Sequence, residues 1–282
     1  MKFESILKIV ELFFLMILGI ILSGMLVQIL QIADTNANAA QLRAIVFIQS
    51  ACIFLLPTIV LSILNKESWA LKTHLINVKH SYNQYVYAIL ILLVSMPFVS
   101  FLSQLNLQLK LPSNFTDLEE MLKNSEIEAQ KITSKILNDT SILVLFINLF
   151  VIAFFAAFSE EIFFRGTFQR ILRENINYHA AIFIVAFVFS ILHFQFYGFL
   201  PRLFLGILLG YVYEYGRNIW FAIAVHFLNN AIVIILNRKN HENEILEKIT
   251  NPEMSIFLIV IGVISLLFSV VLIKRFRNSI KQ

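Results

Sequence analysis

The chain has 282 residues, 59% of them apolar and only 14% charged, with a mean hydropathy of +0.79. No water-facing surface tolerates that balance, so the bilayer must act as solvent. The net charge of +4 is spread over the loops with no block of like charge and no basic patch interleaved with aromatics, which argues against a nucleic-acid partner.

Taken in chain order, Lys2 and Lys8 precede an apolar stretch from Leu12 to Leu30 that lacks a small-residue cleavage site, and a retained first span is expected rather than a signal peptide. Further uncharged stretches run from Ala44 to Leu64, Tyr82 to Leu109, Ile142 to Phe158 and Ile256 to Ile273, each close to the ~20 residues that cross a bilayer. Cys52, the single cysteine, lies in the second of these runs. It excludes an intrachain disulfide and reads as a buried structural thiol. Between Phe158 and Ile256 the pattern is broken: Ala180 to Tyr197, Leu203 to Tyr215 and Ile219 to Leu236 are apolar but carry His193, Glu214 and His226. About eight spans result, the sixth being the weakest.

Two connections are long. Pro112 to Asp139 places Leu, Met and Ile at helical spacing among Glu and Lys, which predicts an amphipathic helix at the interface or capping the bundle. Asn237 to Pro252 is polar and reads as a solvated loop. No repeat is evident, and residues 1–282 are expected to form one all-α, polytopic membrane domain whose helices enclose a polar cavity. Lys and Arg fall preferentially in the loops on the side of the N-terminus, which predicts that both termini are cytoplasmic.

Ionisable side chains inside hydrocarbon are costly and mark function by default. Glu160 and Glu161 follow an apolar run interrupted only by Asn148. Neighbours on a helix point about 100° apart, so the two carboxylates should face different targets and have different jobs. Glu161 and Arg165 are i, i+4 in the favourable order for an ion pair. Glu160 has no basic residue at i±3 or i±4, which suits it to act as a base. If the fourth and fifth spans form a hairpin about the polar Arg173–Asn177 turn, Glu160 and His193 lie at one height, roughly 22–25 Å from the turn. His226 and Asn230 share a helix face and can both donate to a developing oxyanion, with Asn229 as a possible substitute. Gly206 and Gly210 form a small-x-x-x-small pair suited to close helix packing, and Phe154, Phe155, Phe163 and Phe164 are expected as packing or lipid contacts.

Glu160-Glu161-x-x-x-Arg165, Phe189-x-x-x-His193 and His226-x-x-x-Asn230, in that order and in membrane context, resemble the three motifs of the CPBP (CAAX protease and bacteriocin-processing, or Abi) family of intramembrane proteases. The resemblance covers residues 140–237, the expected catalytic core. It implies that Glu160 is the general base and His193 holds the attacking water. His226 and Asn230 would form an oxyanion hole, with Glu161 and Arg165 in support. It further implies a peptide or protein substrate, possibly lipidated or membrane-embedded, and a bacterial cell membrane as the setting. No cofactor is implied. Zinc held by Glu160, His193 and His226 is the chemical rival, disfavoured because no HExxH and no carboxylate to orient the histidines is evident. Outside proteolysis, the same residues would fit a non-catalytic scaffold or bacteriocin self-immunity protein, or a proton-coupled transporter, although the last lacks an inverted repeat.

Overall fold

A computed structural model describes residues 2–32, 37–66, 82–109, 112–139, 141–237 and 255–280. Among these residues every regular element is helical and no strand occurs. Seven helices are long and apolar enough to cross a membrane. They are α1 (Phe3–Ile29), α2 (Ala39–Leu64), α3 (Tyr82–Gln108), α5 (Ile142–Arg173), α7 (Phe199–Gly216, with a 3₁₀ turn before it), α8 (Ile219–Asn237) and α9 (Ile256–Ile280). Between them, α4 (Thr116–Leu137) is amphipathic and α6 (Tyr178–Ile191) is short and apolar.

The polytopic all-α expectation is therefore met, with one correction. The weak passage is the fifth, not the sixth: α6 has 14 residues, about 21 Å of helix, where Ala180 to Tyr197 was expected to be helical. The chain leaves the helix because the His193 ring Nδ1 donates to the Phe189 carbonyl at 2.7 Å and Phe194 takes a left-handed conformation (φ 52°). His193 thus sits in a turn at the helix end and not within a span. The expected polar loop after Asn237 lies outside the described residues.

Local chemistry sets the helix starts. Asn38 and Gln41 form a reciprocal capping box on α2, Asn177 accepts from the His179 amide to open α6, and Asn218 accepts from the Trp220 amide to open α8. The N-terminal end of α1 lies beside the α5–α6 turn, since Asn175 accepts from the Lys2 amide and donates to the Ser5 hydroxyl. Arg277 near the end of α9 lines a cavity with Arg173 and Tyr178 of that same turn. The outer ends of α1 and α9 therefore lie at one end of the bundle. His193 lies at the other.

Because lipid tails are as apolar as leucine, helices associate in a bilayer through close packing and interhelical hydrogen bonds rather than hydrophobic burial. Both are present. A Cβ at Gly206 would stand 3.0 Å from Ala186, and one at Gly210 would stand 2.7 Å from Ile182, so the two glycines let α7 press onto α6. Their carbonyls then accept from α5: Arg165 Nη2 to Gly206 at 3.1 Å and Gln169 Nε2 to Gly210 at 3.2 Å. Such bonds contribute about 0.6–1.7 kcal/mol each within a membrane. Of the four phenylalanines singled out, Phe163 and Phe164 are buried, Phe155 stacks on Phe47 and Phe154 on Phe158. Cys52 is buried, as expected. The amphipathic α4 is tied down at its C-terminal end, where the buried Arg43 of α2 donates to the Ile136 carbonyl (2.9 Å) and to Asn148 of α5 (2.6 Å). It packs against the 3₁₀ turn Phe196–Gly198 just past His193, and so caps that end of the bundle.

Candidate active site

Glu160 and Glu161 close an α-helical turn of α5 that lies between two π-helical stretches, Leu149–Phe155 and Ile162–Gln169. Single π turns inside α-helices alter which way the flanking residues face and concentrate at functional sites. Glu161 is fully buried. One of its oxygens, Oε1, accepts from Arg165 Nη1 at 2.8 Å and lies 2.7 Å from His226 Nδ1. The i, i+4 pair expected from the spacing is present, but it is part of a larger cluster. On the other side of the imidazole, Glu160 Oε2 lies 3.8 Å from His226 Nε2.

This corrects the expectation that adjacent carboxylates address different targets. They do diverge from the helix, but the His226 ring stands between them and offers one nitrogen to each. Glu160 likewise has no basic partner on its own helix, yet it is not remote from positive charge. Two carboxylates, one guanidinium and one imidazole share the site. Burying such charges is tolerable only when they are paired and hydrogen-bonded. Arg165 is fully buried and also lies over the Phe189 ring, 4.9 Å from its centroid.

Phe189 joins the two motifs of helices α6 and α8. Its ring meets His193 edge-on at 4.7 Å and His226 at 6.0 Å, while its carbonyl accepts from His193 Nδ1. A carbonyl can only accept, so the proton of a neutral His193 is on Nδ1 and Nε2 keeps its lone pair. His193, His226, Asn229 and Asn230 line one cavity of about 210 Å³ together with Phe189 and Arg202. At about 30 Å³ per water that space holds several waters or a short peptide segment. Asn229 lines the same cavity and donates to Asn230 Oδ1 at 3.3 Å, which leaves the Asn230 amide nitrogen free to donate into the cavity.

The structure thus brings Glu160, Glu161, Arg165 and His226 into one buried cluster and His193, His226 and Asn230 around one cavity, with His226 in both. Among the described residues no hydrogen bond links Glu160 to His193, and Glu160 Oε2 is buried with no hydrogen-bond partner. Nor do three His, Cys, Asp or Glu side chains converge as a metal-ligand set among these residues.

Several positioning residues escaped the sequence reading. Asn106 of α3, fully buried, donates to the Phe196 carbonyl at 2.9 Å and accepts from the Leu200 amide at 2.7 Å, so it clasps the turn that follows His193. Arg202 donates to Gln195 Oε1 at 2.8 Å and to the Gln195 carbonyl, bracing the same turn. Gln169 anchors α5 on α7 one turn beyond Arg165. The signal that could have found Asn106 is the one that found the histidines, a polar side chain in an apolar span.

The family model described as Type II CAAX prenyl endopeptidase Rce1-like matches residues 142–232, which run from the start of α5 through most of α8 and include all seven residues of the three motifs. No curated protein and no solved structure matches the chain.

Proposed function

We propose, from the match of residues 142–232 to the Rce1-like family model, that the chain is an intramembrane peptidase of the CPBP family and hydrolyses a peptide bond inside the cavity bounded by His193, His226 and Asn230. The observation that carries this reading is the convergence of these three side chains on one cavity, with the paired glutamates backing His226.

In the proposed reaction, one water is held between the Glu160 carboxylate and the lone pair on His193 Nε2. Glu160 takes a proton as the water oxygen attacks the peptide carbonyl. The tetrahedral oxyanion receives hydrogen bonds from Asn230 Nδ2 and His226 Nε2. Because His226 Nδ1 already addresses Glu161, donation from Nε2 uses a ring that carries a proton on each nitrogen. Collapse of the intermediate breaks the C–N bond as Glu160 returns its proton to the leaving amine. Glu161 and Arg165 act by holding His226 in place.

The reaction so written needs no metal. A chelator should leave activity intact, and loss restored only by Zn²⁺ would replace this mechanism with a zinc-dependent one. The substrate is a peptide or protein with its scissile bond near the membrane, lipidated or membrane-embedded. With the termini cytoplasmic, in a bacterial cell membrane, the cavity lies toward the opposite face, since His193 and the outer ends of α1 and α9 are at opposite ends of the bundle.

The direct test is peptide release by the purified protein. Glu160→Gln and His193→Ala should each lower turnover by about 10²–10⁴-fold, the range for loss of a general acid–base group, while both variants remain folded. Wild-type turnover in a folded Glu160→Gln sample would overturn the assignment. The rival reading, a scaffold or self-immunity protein, predicts that the double variant still complements a deletion strain.

A further inference from the structure

The second notable cavity lies away from the motif residues. At the end of the bundle that holds the outer ends of α1 and α9, a space of about 470 Å³ is lined by Arg173, Tyr178, Glu214, Tyr215, Arg217, Arg277 and Ile280. Three guanidinium groups face one carboxylate there, an excess of two positive charges. Arg173 Nε contacts Glu214 Oε1 at 2.7 Å, and Arg217 is within electrostatic reach of the same carboxylate. Arg277 instead lies over the Tyr215 ring, 5.1 Å from its centroid, and the Tyr215 ring meets the Tyr178 ring edge-on at 6.2 Å.

Each lining residue sits where a membrane helix ends: Arg173 closes α5, Tyr178 opens α6, Glu214 and Tyr215 close α7, and Arg277 and Ile280 close α9. The cavity is therefore at headgroup depth, where anionic lipids present phosphate and tyrosine rings are at home. The backbone adds a second observation. Arg217 follows the last turn of α7 in the left-handed region (φ 48°), a position that glycine fills without strain and a long side chain does not. An exposed arginine kept at such a position supplies a charge to the cavity that glycine would not.

We propose that this cavity binds the phosphate of an anionic phospholipid headgroup, with Arg217 and Arg277 as its principal donors and Arg173 held in place by Glu214. Planar guanidinium groups match phosphate oxygens two at a time, and the Tyr178 and Tyr215 hydroxyls can add further hydrogen bonds. Fifteen residues separate Tyr178 from His193, about 22 Å along α6 and the turn that ends it, so the site is distinct from the catalytic cavity and does not rest on the peptidase reading.

The test titrates the full-length protein in neutral detergent with phosphatidylglycerol, with phosphatidylcholine and with inorganic phosphate, and counts bound lipid by native mass spectrometry. Wild type should retain phosphatidylglycerol, should not retain phosphatidylcholine comparably, and should keep its lipid in millimolar phosphate. The double variant Arg217→Gly, Arg277→Gln should bind phosphatidylglycerol at least tenfold more weakly. Glycine suits the left-handed backbone, so this variant is expected to keep the wild-type unfolding transition, and Arg217→Asn gives an independent check with another residue that accepts that conformation. Unchanged phosphatidylglycerol binding by either folded variant set would overturn the proposal. Equal retention of phosphatidylcholine would overturn the charge argument, and displacement by inorganic phosphate at matching affinity would overturn the headgroup as the source.

Discussion

The frame helices α1 and α9 and the site helices α5 to α8 are built on different physics, although their composition looks alike. The frame buries uncharged residues, apolar or small. Leu12, Met16, Gly19 and Ser23 are among the few buried positions of α1, and α9 buries Gly262, Ser265, Ser269 and Phe276. In α9 the Ser265 hydroxyl serves backbone: it donates to the Val94 carbonyl and accepts from the Phe98 amide, mending the hydrogen-bond ladder of α3 around Pro97. The site helices instead bury charge, with Glu161 and Arg165 fully enclosed. In the frame, then, a substitution should change stability alone. In the site half it should change stability and chemistry together.

Arg165→Met breaks that comparison most sharply if it fails. Removing one partner of a buried ion pair leaves the other uncompensated and typically destabilises by about 3–5 kcal/mol. Here Glu161 would lose Arg165 while still holding His226, and α5 would lose its bond to the Gly206 carbonyl. We expect a large fall in the thermal midpoint, and lost peptidase turnover even in the molecules that remain folded. Wild-type turnover per folded molecule would show that the guanidinium serves packing only.

Gly19→Ala is the matching change in the frame. A Cβ at Gly19 would overlap the backbone carbonyl of Cys52, so α1 and α2 must separate. Overpacking of this kind destabilises by about 1–3 kcal/mol. Gly19 belongs to the frame and touches none of the motif residues, so turnover per folded molecule should stay at the wild-type value. A specific loss of turnover would mean that the frame transmits strain to the cavity.

Asn106→Ala probes the border between the two regions, since α3 packs on the frame helix α9 but its Asn106 holds the site turn. Losing a buried amide that serves two backbone groups should lower stability by about 1–2 kcal/mol. The turn carrying His193 would also loosen, and misplacing a catalytic group by about 1 Å can lower the rate about 10²-fold. We expect the rate loss to exceed what the stability loss explains. Asn106→Asp, which keeps the acceptor for the Leu200 amide, should recover part of it.

What was legible in the sequence divides along the same line. Long apolar runs announced the spans, and spacing announced the Glu161–Arg165 pair, because a helix converts i, i+4 directly into contact. The same regularity misled the reading of Glu160. Its relation to His226 depends on a partner 66 positions away and on an α5 whose turns widen twice, neither of which is written in local spacing. The end of α6 was illegible for a similar reason: Leu192, Phe194 and Tyr197 are good span residues by composition. The helix ends there because of a side-chain bond to the Phe189 carbonyl and a left-handed residue, features of geometry rather than hydropathy. Asn106, Arg202 and Gln169 were visible as polar residues in or beside spans, but what each one holds depended on the tertiary fold.

The smallest expected effect comes from α4, which belongs to neither region and rests on the cavity end of the bundle. Glu126 is buried on this amphipathic helix. One of its oxygens accepts from Gln130 at 3.3 Å and the other has no hydrogen-bond partner among the described residues. Burial pushes its carboxyl above the ordinary range, against the opposing pull of the Gln130 hydrogen bond and of the Arg202 charge. A carboxyl raised in the folded state holds its proton where the unfolded chain has released it, so stability falls as pH rises through the window between the two values. The wild type should therefore gain stability on going from neutral pH toward the ordinary carboxylate range. Glu126→Gln, which removes the titrating group and leaves an amide of the same shape, should raise stability at neutral pH by about 1 kcal/mol and flatten that pH dependence. Thermal unfolding of the two proteins across the acid range measures both effects. A variant less stable than wild type at neutral pH would mean that the attraction between Glu126 and Arg202 outweighs burial, and would move α4 from a cap that merely rests on the cavity to one held there by charge.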